Sequence, residues 1–181
     1  MRKTRPRPRP RGVLPDVRYV ASPNCDARPA GTAVTLLVLH SISLPPGQYG
    51  GDAIERLFTN RLDPQAHPYF QSIFSLRVSA HFLVRRDGCL IQFVPLGKRA
   101  WHAGVSRWRA RERCNDFSVG VELEGAEADG FTAAQYATLA SLLGTLRLRD
   151  IAAHSDVAAG RKTDPGARFD WPRLLALLSR I

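Results

Sequence analysis

No run of apolar residues in this chain is long enough to cross a bilayer. The most apolar stretch, Ala33–Leu39, falls far short of the ~20 residues a spanning helix needs. Cysteine is scarce: Cys25, Cys89 and Cys114 are an odd number at wide spacings, which excludes a disulfide framework and a CxxC metal knuckle. Methionine occurs only as Met1. No apolar segment follows the basic N-terminal residues, so they do not read as a secretory signal. These absences favour a reducing, cytoplasmic setting. Internal repeats are also missing, and composition is even after the first dozen residues.

Acidic residues are few beside basic ones, 16 against 26, giving a net charge of +10. Arg2, Lys3, Arg5, Arg7, Arg9 and Arg11 supply six of those charges within residues 1–12, leaving +4 for the rest. The alternating Pro/Arg run favours an extended, solvated conformation. Residues 1–14 are therefore expected to be a disordered basic tail, and residues 15–181 one domain. A basic arm can touch nucleic acid or an anionic membrane non-specifically. The tail has no aromatic residue to interleave with its arginines, so specific nucleic-acid binding is not expected.

Thr35–Leu39 is a compact apolar run read as a buried strand ending at His40. From Leu44 to Ser75 the chain is rich in Pro and Gly, with room for one short helix near Asp52–Asn60 carrying Ile54, Leu57 and Phe58 on one face. A stretch this long usually builds a lid or cleft wall. Ser79–Arg85 and Cys89–Val94 flank Asp87-Gly88, a hairpin signal. Ser118–Glu124 alternates as a strand should. Thr132 looks like the N-cap of a helix running to about Arg147, with Tyr136, Leu139, Ala140, Leu143 and Leu146 at helical spacing. Ile151–His154 reads as a short strand. Asp170 caps a last helix with Pro172 in its first turn and Leu174, Leu175, Leu177 and Leu178 as its apolar side. This order predicts an α/β fold: a single domain with a central mixed β-sheet flanked by helices.

Three residues stand out by position. His40 ends a buried strand, His154 ends a second apolar stretch, and Asp164 follows ten residues later in Arg161–Gly166. Two imidazoles and a carboxylate are a ligand set known from catalytic zinc sites, which leave one position open. Each also has a plain structural reading: a hydrogen-bonded histidine at a strand end, or a turn aspartate before Pro-Gly. Spacing alone does not bring them together. Glu122 and Glu124 share one strand face, the other being Val119, Val121 and Leu123. They are either solvated carboxylates of an amphipathic strand or, for one of them, a proton carrier beside a metal. Lys162 is either a surface charge or a partner for a developing oxyanion.

Nine blocks then match a known family in order. They are Ser22–Pro29, Leu39–Gly47, Asp63–Phe70, Leu76–His81, Arg85–Gly88, Lys98–Ser106, Arg111–Ser118, Val121–Gly125 and Arg161–Gly166. Over about Pro15 to Leu178 the chain resembles the AmpD-type amidases, which act on 1,6-anhydro-N-acetylmuramyl peptides, within the wider amidase and peptidoglycan-recognition fold. The resemblance implies one Zn²⁺ held by His40, His154 and Asp164. It implies Glu122 as general base and then acid, and Lys162 beside the metal. Arg77, Trp101, His102 and Arg113 fall in blocks that border the substrate cleft in such enzymes, and Tyr69 lies near it. The implied reaction is hydrolysis of the amide between (anhydro-)N-acetylmuramic acid and L-alanine during cytosolic cell-wall recycling. A monomer acting on an anhydro-muropeptide, with no membrane span, is expected.

Three features depart from the family pattern. Ser41 stands where Asn is common, the segment before His154 is short, and the Pro/Arg tail is foreign to it. A less selective amidase acting on intact peptidoglycan is the nearest alternative. A non-catalytic peptidoglycan-binding module is another, although all three ligand positions are filled.

Overall fold

The computed structural model describes residues 9–181. In chain order the strands are β1 (Arg18–Tyr19), β2 (Cys25–Ala27), β3 (Leu36–Ile42), β4 (Phe82–Val84), β5 (Leu90–Gln92), β6 (Lys98–Ala100), β7 (Arg107–Trp108), β8 (Arg111–Glu112), β9 (Ser118–Glu124) and β10 (Asp150–Ala153). The helices are α1 (Ala53–Phe58), α2 (Ala133–Leu146), α3 (His154–Val157) and α4 (Trp171–Leu178), with 3-10 turns at Pro68–Ser72 and Cys114–Asp116. Six strands form one mixed sheet in the order β1-β5-β4-β9-β3-β10. The β4–β5 pair is antiparallel and its other neighbours run parallel. The expected mixed α/β architecture is what is found.

Parallel strands in the middle of a sheet must be covered on both faces, and β3 and β9 are. Leu37 and Leu39 of β3 and Val119, Val121 and Leu123 of β9 pack with Tyr136, Leu139 and Leu143 of α2 and Leu174 of α4. Leu36 and Val38 point the other way, onto Ala103, Phe117, Ala152 and Val157. A separate apolar cluster joins Ile54, Leu57 and Phe58 of α1 to Leu83, Ile91 and Phe93. The strand β9 is thus no amphipathic strand with a solvated carboxylate face. Glu124 is 2% exposed and bound to Arg85 (2.9 Å).

The local signals behaved as chemistry demands, with one exception. Gly88 turns the β4–β5 hairpin with φ +87°, and a Cβ there would meet Ala134 at 3.1 Å. Thr132 and Gln135 form a reciprocal capping box at the start of α2. Asp170 caps α4 by accepting from the Arg173 N–H (2.9 Å). Leu175, however, is 60% exposed. At 100° per residue it lies off the face shared by Leu174, Leu177 and Leu178.

The expected tail, residues 1–14, lies mostly outside the described residues. Its described end is tied to the domain. Arg9 Nη1 donates to the carbonyls of Leu14 and Val17 (3.0 and 2.9 Å), and Leu96 N–H donates to the Gly12 carbonyl (2.9 Å). Among the described residues no helix is long and apolar enough to cross a membrane, and all three cysteines are free.

Candidate active site

The parallel register builds the site. His40 on β3 lies directly beside Glu122 on β9, both on the sheet face away from α2. Pairing of β10 with β3 matches Ala153 with Leu39, so His154, at the start of α3, arrives beside His40. Asp164 follows α3 in the next loop, where its carbonyl accepts from Ser155 N–H (3.0 Å).

His40 Nδ1 is 2.9 Å from His154 Nδ1 and 3.2 Å from Asp164 Oδ2. His154 Nδ1 is 3.0 Å from the same oxygen. Two metal bonds of about 2.0–2.1 Å at a tetrahedral angle place ligand atoms about 3.3 Å apart, so this triangle has the size a small cation needs. Its chemistry agrees. Three electron-pair donors converge at a nearly dry point, with side-chain exposures of 2%, 4% and 15%. A shared proton can satisfy only part of that set, whereas one cation satisfies all of it. Burial, opposed by the Asp164 hydrogen bond, pushes His40 down to about 4. Burial works against ionisation of Asp164, yet hydrogen bonds with His154 and His40 outweigh it and hold the carboxyl well below its usual range.

Glu122 is the one carboxylate of the site that lacks an anchor. Its Oε2 is buried with no hydrogen-bond partner. Burial, reinforced by the negative charge of Asp164 and partly offset by Lys162, holds its pKa well above the ordinary value. A carboxyl whose pKa is raised in this way accepts a proton more readily than a solvated one.

A cleft of about 630 Å³ opens over these groups, a size suited to a small organic ligand. Leu44, Pro46, Leu57, Tyr69 and Ile73, all from the long Pro/Gly-rich stretch, form one wall. Trp101 and His102 line it, as do Ser41 and Lys162. Both ring nitrogens of His102 are engaged within the protein, by His40 Nε2 (2.9 Å) and Ser118 Oγ (3.1 Å). Arg77 and Arg113 are not brought into this cleft. Arg77 is exposed and donates to the Ser75 carbonyl (3.2 Å). Arg113 lines a neighbouring cavity that shares Arg161 with the cleft.

Arg161 itself was not singled out from the sequence. Its Nη2 donates to the carbonyls of Ala103 (2.6 Å) and Val105 (2.7 Å), tying the loop after β6 to the loop that carries Asp164. Nor were Ser118, Gly120 and Asn115, which surround His102. Only the close approach that a glycine in a strand permits hinted at Gly120.

A mixed sheet covered by helices, with two histidines and an aspartate converging beside a half-buried glutamate, defines a metallohydrolase-like site. The chain belongs to the N-acetylmuramoyl-L-alanine amidase family, which it matches over residues 30–167. It is 53% identical to 1,6-anhydro-N-acetylmuramyl-L-alanine amidase AmpD of Escherichia coli, across 93% of this chain and 96% of that protein. A crystal structure of a selenomethionine AmpD derivative superposes with a TM-score of 0.90 at 52% identity, covering 93% and 98% of the two chains. A further likeness is to the amidase AmiD of E. coli in complex with the substrate anhydro-N-acetylmuramic acid-L-Ala-D-gamma-Glu-L-Lys. There the TM-score is 0.56 and identity 26%, over 83% of this chain and 60% of that one.

Proposed function

We propose that this protein hydrolyses the amide between 1,6-anhydro-N-acetylmuramic acid and the L-alanine of muropeptides released from the cell wall, as part of cytoplasmic recycling. The carrying observation is the His40–His154–Asp164 triangle set in register beside the unanchored Glu122. The likeness to AmpD supports the substrate class.

The donor set, two nitrogens and one oxygen, fits Zn²⁺. When bound there, the ion supplies Lewis acidity for attack on an amide carbonyl. The chain does the rest. Glu122 takes a proton from the attacking water and returns it to the leaving amine of alanine. Its raised pKa suits both halves of that exchange. Lys162, charged and close enough to act on Glu122, stabilises negative charge as it develops on the carbonyl oxygen. Trp101 offers an apolar wall to the sugar or the first peptide residues. Arg77 and Arg113, outside the cleft, stand on its approaches, where they can meet the anionic stem peptide with paired hydrogen bonds. Ser41 is shorter than asparagine and makes one polar contact to the substrate weaker. The active unit is a monomer.

The test is mass spectrometry of anhydro-muramyl tripeptide incubated with the purified protein, with a chelator-treated sample alongside. Free tripeptide is expected, lost on chelation and restored by zinc. No release in the presence of zinc would overturn the proposal. Equal release from intact sacculi would place the enzyme with the less selective wall amidases.

A further inference from the structure

We infer that His102 is a positioning residue: together with the carbonyl of Ala103, it dictates which ring nitrogen of the two metal-facing histidines is left free. The inference rests on the reading that His40, His154 and Asp164 hold a cation.

A carbonyl oxygen can only accept. His154 Nε2 lies 3.3 Å from the Ala103 carbonyl, so that nitrogen carries the proton and Nδ1 presents a lone pair to the triangle. His40 is governed differently, because its Nε2 faces a second imidazole, His102 Nδ1, at 2.9 Å. One proton lies between them. When the lone pair of His40 Nδ1 is given to a cation, the proton of that ring must reside on Nε2. At 2% exposure water is not there to receive it. His102 Nδ1 is the acceptor. The proton belonging to His102 then sits on its own Nε2 and is donated to Ser118 Oγ, 3.1 Å away.

A hydroxyl both donates and accepts, so the relay runs in either direction. With no cation, Ser118 donates to His102 Nε2 and His102 Nδ1–H donates to His40 Nε2. The remaining proton, on His40 Nδ1, then faces Asp164 Oδ2 at 3.2 Å. Filling the site reverses the direction of the chain without any heavy atom moving.

The surroundings are built to hold this ring. It lies against Gly120, where a Cβ would come within 2.4 Å of its Cγ and 2.6 Å of its Cδ2. Any other residue at 120 would drive the ring away. Asn115 Oδ1 accepts from the backbone N–H groups of both His102 (3.2 Å) and Ala103 (2.8 Å). One asparagine thereby fixes the dipeptide that serves both metal-facing histidines. With both ring nitrogens spent on His40 and Ser118, His102 has no free polar atom to offer a substrate.

The experiment compares zinc dissociation constants, by competition with a chromophoric chelator, for the wild type, His102→Leu, His102→Asn and Gly120→Ala. The unfolding midpoint of each zinc-free protein is measured in parallel. The leucine variant is expected to bind zinc roughly ten- to hundredfold more weakly. The asparagine variant, whose amide oxygen can stand near the former Nδ1 position, recovers most of that loss. Gly120→Ala is expected to weaken zinc as leucine does. Long-range ¹H–¹⁵N spectra of the zinc-loaded wild type are expected to show His40 protonated at Nε2. Leucine binding zinc within twofold of the wild type overturns the inference, as does asparagine faring no better than leucine. Should the leucine variant not fold, the asparagine and alanine variants and the spectra decide. A wild type that takes up no zinc would defeat the metal-site reading itself, a result distinct from the other two.

Discussion

Glu122 is held by its neighbours in β9 and β3 and by nothing at its carboxyl end, which is what a proton carrier requires. Glu122→Gln keeps the shape and removes the proposed base. Activity on anhydro-muramyl tripeptide should fall by roughly 10²–10⁴ while zinc content, read by elemental mass spectrometry, stays at the wild-type level. An active glutamine variant would place the base elsewhere. At this scale the residue types were legible and their meeting was not. His40 and His154 announced themselves as histidines following apolar runs, although β3 continues to Ile42 and His154 opens α3, and Asp164 as a carboxylate in a tight turn. Their approach depends on β3 and β10 pairing in parallel across more than a hundred residues, which no local pattern encodes. The family resemblance supplied that link. His102 shows the reverse case: its block pointed to the cleft, which it does line, but no sequence pattern says that both its nitrogens are engaged by His40 and Ser118.

At the level of elements, the long stretch before residue 75 is fastened to the sheet from behind. Glu124 Oε1 accepts from Gly50 N–H (2.8 Å) and from Arg85 Nη1 (2.9 Å), and its Oε2 accepts from Arg86 N–H (3.1 Å). Arg85 Nη2 in turn donates to the Gly51 carbonyl (2.7 Å) and to Glu55 Oε1 (3.0 Å), which Arg18 also holds (2.7 Å). One carboxylate, two residues beyond the proposed base, thus pins the loop that carries Leu44 and Pro46 into the cleft. Glu124→Gln presents an amide NH₂ to one of the backbone N–H donors and leaves Arg85 with Glu55 as its one remaining carboxylate partner. A loss of about 3 kcal/mol in urea unfolding is expected, together with a larger rise in KM than fall in kcat. A variant within about 1 kcal/mol of the wild type with unchanged KM would mean the clamp does not matter. The sequence showed this element as an irregular, Pro/Gly-rich wall, and read Glu124 as a solvated carboxylate. Alternation around β9 suggested one wet face because periodicity records side-chain polarity and not what covers it. Strands β1, β2, β6, β7 and β8, each of two or three residues, are too short to leave any period. The hairpin at Asp87-Gly88 and the Thr132 cap were legible because a left-handed turn and an N-cap each admit few residue types.

Across the whole molecule, the basic excess and the buried histidines pull stability in one direction as pH falls. His81 is fully buried; its Nδ1 accepts from Gly120 N–H (3.0 Å) and its Nε2 faces the Lys98 carbonyl (3.0 Å). Burial first, and then the positive charge of Arg28, press its pKa from 6.5 to about 3. His40 is pressed to about 4, and His102 also lies well below 6.5 because of burial and the neighbouring His40. In each case the unfolded chain binds a proton that the folded chain refuses. Their contribution is complete above pH 6.5 and is lost progressively as pH falls towards 3. A single such histidine removes about 1.4 kcal/mol per pH unit within that window. Chelator-treated protein unfolded in urea at pH 7.5, 6 and 5 should therefore lose stability over the last unit by at least that amount. His81→Gln should reduce the slope by about one proton's worth, whatever its effect on stability at pH 7.5. A flat profile between pH 6 and pH 5 would mean these histidines already carry charge in the folded protein. In that case the relay from Ser118 to His40 could not hold its protons in the order the geometry requires.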